Sequence, residues 1–149
     1  MNLTSASDTI VQEITIRGSA EEIFQALTNP AQLVQWWGSE GRFETKQVES
    51  DLRPCGKWSM SGAGMGGKPF HVSGEYREIE RPRLLVFTWL PNWQGDATES
   101  VVRFELEETG SITKVRLTHS GLTTESSRNS HKGWPQILAG LQTYVEQQH

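Results

Sequence analysis

The sequence predicts an α+β fold in which a curved antiparallel sheet of seven strands wraps a long C-terminal helix over an apolar cavity. Three observations predict it. Hydrophobicity alternates with period two through most of residues 42–119, helical spacing is confined to one stretch after the first strand and one at the end, and the alternating segments are joined by short turns. Short turns make neighbouring strands antiparallel, because a parallel pair needs a crossover of roughly a dozen residues or more.

Thr9 to Arg17 reads as the first strand, with Ile10, Ile14 and Ile16 on one face and Glu13, Thr15 and Arg17 on the other. Gly18-Ser19 breaks it, and Ser19 is placed to cap a helix whose first turn carries Glu21 and Glu22. Ile23, Phe24 and Leu27 hold helical spacing until Asn29-Pro30, where proline closes one helix and opens a second through Leu33, Trp36 and Trp37 to Gly38.

Six strands follow. Phe43 to Val48 is weakly patterned; Lys57 to Ser61 puts Trp58 and Met60 on one side. Ser61 to Gly67 is a glycine-rich stretch expected as a mobile hairpin loop at the cavity mouth. It lacks the Gly-Lys-Ser/Thr ending of a phosphate cradle and precedes a strand, which argues against phosphate binding. Pro69 to Ile79 alternates Phe70, Val72, Gly74 and Tyr76 against His71, Ser73, Glu75 and Arg77, and Arg83 to Leu90 is apolar on both faces, as a covered central strand is. After a turn over Pro91 to Asp96, Ser100 to Glu107 and Ile112 to His119 form a hairpin about Thr109-Gly110-Ser111. Gly121 to Asn129 is a polar loop. Trp134, Ile137, Leu138, Leu141, Tyr144 and Val145 then make one apolar stripe of a helix. A twisted sheet cannot lie flush along a straight helix, so this helix-grip arrangement leaves room for a pocket between them.

The 149 residues fit a single domain, 1–149, with residues 1–8 expected to be flexible. A net charge of −4 without a basic stripe argues against nucleic acid as a partner. No apolar run approaches the roughly 20 residues that span a bilayer, and the first residues lack a basic start followed by an apolar core, so a cytoplasmic protein with no membrane insertion is expected. A lone Cys55 excludes an intramolecular disulfide. A homodimer is compatible with this size and specified by nothing in it.

The inward-facing set is Trp58, Met60, Phe70, Val72, Tyr76, Phe87, Trp89, Phe104, Leu106, Leu117 and His119, met by Trp134, Leu138 and Leu141 from the helix; all of these but Leu106, Leu117 and Leu141 are the candidate ligand-binding residues. These residues fill a core or line a ligand site; six tryptophans in one chain suit either. His119 is the residue of greatest chemical interest, as an acid or base or as a strand-end histidine bonded to backbone. No histidine or cysteine pair has zinc-like spacing, and nothing resembles a nucleophile elbow, so no metal, no cofactor and no catalytic residues are assigned. Trp36-Trp37 either closes the pocket end or, if exposed, marks a protein contact surface.

Six stretches carry a resemblance: Gly18 to Pro30, Arg53 to Trp58, Gly74 to Pro82, Arg83 to Trp89, Leu117 to Leu122, and Gly133-Trp134 with the helix after it. Their order and spacing, over about Thr9 to Glu146, resemble the Bet v 1-like (START-like) superfamily and its branch named for the activator of Hsp90 ATPase homologue 1. The resemblance implies the helix-grip fold, and a superfamily of carriers, cyclases, hydrolases and chaperone-associated domains. Three functions follow as expectations: a non-catalytic binder of an apolar or aromatic small molecule; a protein-interaction module with a chaperone partner; a cyclase or hydrolase using His119 or Tyr76. Such relatives usually carry two glycines where Cys55-Gly56 stand, so a positive φ at that turn would strain Cys55.

Overall fold

The computed structural model describes residues 9–39, 43–92, 99–122 and 133–148. Strand β1 (Ile10–Arg17) leads into helices α1 (Ala20–Thr28) and α2 (Pro30–Trp36); strands β2 (Gly38–Ser39), β3 (Phe43–Ser50), β4 (Lys57–Gly64), β5 (Pro69–Glu80), β6 (Leu84–Pro91), β7 (Ser100–Thr109) and β8 (Ile112–Ser120) follow, then helix α3 (Trp134–Glu146). All strands join one antiparallel sheet in the order β1-β8-β7-β6-β5-β4-β3-β2. The seven expected strands are present; the eighth is the two-residue β2, too short to leave a periodic signal. The turn after Leu90, the loop after Leu122 and the flexible start expected from the sequence fall on positions outside the described residues, except at their edges.

The helix signals are met atom by atom. Ser19 Oγ accepts from the Glu22 amide while Glu22 Oε1 accepts from the Ser19 amide, a reciprocal cap that satisfies two otherwise orphaned donors. Asn29 Oδ1 caps α2 by accepting from the Ala31 amide, with Pro30 in the first position. On α3, Trp134, Ile137, Leu138, Leu141 and Val145 are buried against the sheet.

The glycine-rich stretch corrects the sequence expectation. Ser61 to Gly64 continues β4 in register with β5 up to the Ala63–Pro69 pair, and only Met65–Gly67 makes a 3-10 turn, closed by the Gly64 amide on the Lys68 carbonyl. Gly62 lies within the strand, and glycine is required there because a Cβ would sit 2.0 Å from the Glu44 carbonyl oxygen.

Two bulges set the curl. Lys46 in β3 and Arg77 in β5 are extra residues between the paired positions Thr45/Gln47 and Tyr76/Glu78. Each reverses the side-chain phase, so Val48 and Ser50 face the same interior as Met60 and Trp58. The curled sheet is closed by α3, which packs on β1 at one edge and reaches β2 at the other. Gln142 Nε2 donates to the Thr15 carbonyl, and Glu146 accepts from the Arg17 amide at 2.9 Å, so helix side chains occupy backbone groups on the free edge of β1.

Candidate functional site

At the end of the interior nearest α2, the side chains do not close completely. The cleft there is lined by Leu27, Leu33, Trp37, Val48, Ser50, Trp58, Met60, Tyr76 and Phe87, and its open space is about 20 Å³. That is room for one water, against roughly 300–1,000 Å³ for a drug-sized ligand. Each lining residue has an identifiable origin. Leu27 and Leu33 lie on the buried faces of the two capped helices, and Trp37 is the C-cap of α2. Val48 and Ser50 arrive through the β3 bulge, and Trp58, Met60, Tyr76 and Phe87 are the expected inward positions of β4, β5 and β6.

Two polar features stand in this apolar wall. Tyr76 Oη and Ser50 Oγ are hydrogen-bonded at 2.7 Å. Burial pushes the Tyr76 phenol up from its ordinary value, with the Ser50 bond opposing and the nearby Asp51 carboxylate adding to the rise. Trp58 Nε1 is the second: Trp58 is 6% exposed, and its N–H finds no partner among the described residues. That nitrogen lies against Gly74, where an added Cβ would come within 2.7 Å of it.

The remaining expected residues gather in an adjoining aromatic cluster. Trp89 meets Trp134 at 5.5 Å between ring centroids and His119 at 5.9 Å; Phe104 meets Trp134 at 6.4 Å. Trp58 links the cluster to the cleft through Phe87 at 5.2 Å and Trp89 at 5.7 Å. Val72 and Leu138 are buried in the core, whereas Phe70 is half-buried beside Gly62 and does not line the cleft.

His119 is fully buried, and where a backbone partner is one expectation, both ring nitrogens meet side chains. Trp134 Nε1 donates to Nδ1 at 3.1 Å, and Nε2 stands 2.8 Å from Ser100 Oγ, which also reaches the Trp89 carbonyl at 3.3 Å. An indole N–H only donates, so Nδ1 is the acceptor, and the neutral ring carries its proton on Nε2 toward Ser100. A base for Ser100 would need the reverse tautomer. Ser100 was missed in the sequence, although the hairpin about Gly110 offers the signal: it sets Val102 opposite His119 and so brings Ser100 to the same face.

Trp36 and Trp37 are both buried, and Trp36 Nε1 donates to the Ala26 carbonyl. The pair is therefore not an exposed contact surface; Trp37 closes the cleft end. Among the described residues, no group of three or more His, Cys, Asp or Glu is arranged to hold a metal, and no helix is long and apolar enough to cross a membrane. The outer face of β3–β6 carries an open groove of about 640 Å³ with four carboxylates, Glu49, Asp51, Glu75 and Glu99, beside one cation, Lys57.

Comparison with known proteins agrees with this architecture. The chain is similar in structure to a protein of Chromobacterium violaceum (TM-score 0.84, 22% identity, covering 94% of this chain and 98% of that one). It is similar also to a protein of Nitrosomonas europaea (TM-score 0.81, 19% identity, 96% and 97% covered). The AHSA1 protein of Silicibacter pomeroyi shares 27% identity at a TM-score of 0.80, with 95% and 99% covered. No curated protein matches the chain. The family model for activator of Hsp90 ATPase homolog 1-like proteins matches residues 17–146, and the chain belongs to that family, a branch of the Bet v 1-like superfamily whose fold serves ligand binding or interaction.

Proposed function

We propose that this domain binds an apolar or aromatic small molecule in the cleft between α2 and strands β3–β6, without catalysing its conversion. The observation that carries the reading is the lining itself: seven apolar side chains around the Tyr76–Ser50 pair, a mostly apolar wall with a few placed polar groups. The cleft admits a water and not an aromatic ring, so binding requires lining side chains to move. Met60, unbranched and flexible, moves most cheaply. The arrangement of His119 supports the non-catalytic part, because its proton faces Ser100. With a single cysteine and no disulfide, the proposed setting is the cytoplasm.

The test is thermal unfolding against fatty acids, sterols, flavonoids and aromatic polyketide-like compounds. A ligand at 100 times its Kd adds ~2.7 kcal/mol, a rise in Tm of roughly 5–11 °C for a chain of this size. No rise for any class, with co-purified ligand excluded by mass spectrometry, removes the binding reading.

The small size of the cleft favours a second reading, a protein-interaction module whose interior is only a core. Capture of a chaperone by the folded domain, with no ligand response, would select it.

A further inference from the structure

We propose that Trp58 sets the specificity of the cleft: its indole N–H selects a neutral hydrogen-bond acceptor, a carbonyl or ether oxygen, carried on a planar aromatic compound. The inference rests on the binding reading above and narrows it to a ligand class. Trp58 is 6% exposed and its Nε1 has no partner among the described residues, whereas the indoles of Trp36 and Trp134 each donate to a named acceptor. A buried donor without a partner carries a desolvation cost that an arriving acceptor relieves. Nε1 packs directly against Gly74, where any side chain would press on it.

The other polar groups point to the same ligand. Tyr76 and Ser50 hold two hydroxyl protons, and their mutual bond uses one. The cleft therefore offers donors and calls for acceptors. Its lining contains no charged side chain, and the charge felt by Tyr76 is that of the Asp51 carboxylate. A carboxylate ligand would be desolvated with no cation to meet it, and an ammonium would face donors. Trp37, Trp58 and Phe87 supply ring faces and edges for a flat molecule.

The probes are three compounds of one shape: 2-acetonaphthone, 2-isopropenylnaphthalene and 2-naphthoate. Dissociation constants are measured by calorimetry for the natural protein and for Trp58→Phe. Taking the ratio of ketone to alkene affinity within each protein removes differences in packing. The expected result is a ratio about tenfold lower in Trp58→Phe, with naphthoate the weaker partner of the ketone in both. In the natural protein, the Trp58 indole ¹H–¹⁵N signal moves with the ketone and stays with the alkene. If Trp58→Phe does not fold, this signal alone decides. An unchanged ratio, a signal indifferent to the ketone (a water satisfying the N–H), or tighter naphthoate binding overturns the Trp58 inference and leaves the binding reading standing. Failure of all three probes to bind the natural protein overturns both.

Discussion

Trp134 donates its indole N–H to Nδ1 of His119 across 3.1 Å, and this bond fixes which nitrogen of the histidine carries the proton. A residue that the sequence offers as an acid or base is thereby made a link between α3 and β8. In a double-mutant cycle of Trp134→Phe and His119→Phe, denaturant unfolding is expected to show a coupling of about 1 kcal/mol beyond the two packing losses. Additive losses would mean that the bond contributes no net stability.

Cys55 adopts φ 67°, a left-handed conformation that costs a residue with a Cβ about 1–2 kcal/mol. Its amide donates to the Tyr76 carbonyl and the Tyr76 amide donates to the Gly56 carbonyl, so the strained turn is tied to the cleft strand. Cys55→Gly is expected to stabilise the protein by up to ~1 kcal/mol, the gain reduced by glycine's freedom when unfolded. Cys55→Val is expected to destabilise it. Urea midpoints for the two variants check both signs.

Trp89 is 4% exposed and packs, tilted or edge-on, against the rings of Trp37 at 6.2 Å, Trp58, His119 and Trp134. Trp89→Ala is expected to cost ~3–5 kcal/mol, measured by chemical unfolding, as a fully packed tryptophan does. A loss below 2 kcal/mol would mean that the cluster relaxes into the space.

Glu21 on α1 pairs with Arg81, whose guanidinium also lies 5.4 Å over the Phe24 ring. The Arg81 hydrogen bond, with help from Gln25, holds the Glu21 carboxyl down at about 2 against an ordinary 4.5. A carboxyl depressed in the folded state contributes stability above its unfolded value, and loses it as pH falls from 4.5 toward 2. Because the pair is half-exposed, Glu21→Gln is expected to lower Tm at neutral pH by at most about 3 °C. The difference from the natural protein should shrink steadily as pH falls from 4.5 toward 2, and shrink in 1 M salt. A difference that persists in acid would refute the assignment.

Gly74 admits no side chain, since a Cβ would stand 1.9 Å from the Thr88 carbonyl oxygen as well as against Trp58. Gly74→Ala is expected to destabilise by at least ~2 kcal/mol and to shift tryptophan fluorescence, where an ordinary exposed strand position would change little.

The element order and the inward faces of β4, β7 and β8 were legible because each of these strands buries one face, which enforces period two, whereas β6 was legible as an apolar run because both its faces are covered. The β3 strand was legible only as a weak signal. The extra Lys46 shifts its phase, so Val48 and Ser50 fall out of step with the residues before them, and Ser50 as a cleft residue went unseen. Gly62 and Gly64 read as loop, although both lie in β4, where Gly62 is the residue that fits the close approach of the Glu44 backbone. Leu33 read only as a helix position, whereas Trp37 was one of a pair offered either as the end of the pocket or as an exposed contact; the closing of the sheet around α2 makes both of them cleft walls. The state of His119 depends on a contact with Trp134 from a separate element, which no local pattern encodes.

The bonds from Gln142 to Thr15 and from Glu146 to Arg17 span 127 and 129 residues of chain. At roughly 5–20 residues per second of synthesis, β1 leaves the ribosome about 6–25 s before the helix that covers it exists. For that time its isoleucine face and its open edge wait, and the half-barrel cannot shut until α3 emerges. Translation of the last helix therefore sets the earliest moment at which the finished fold can exist.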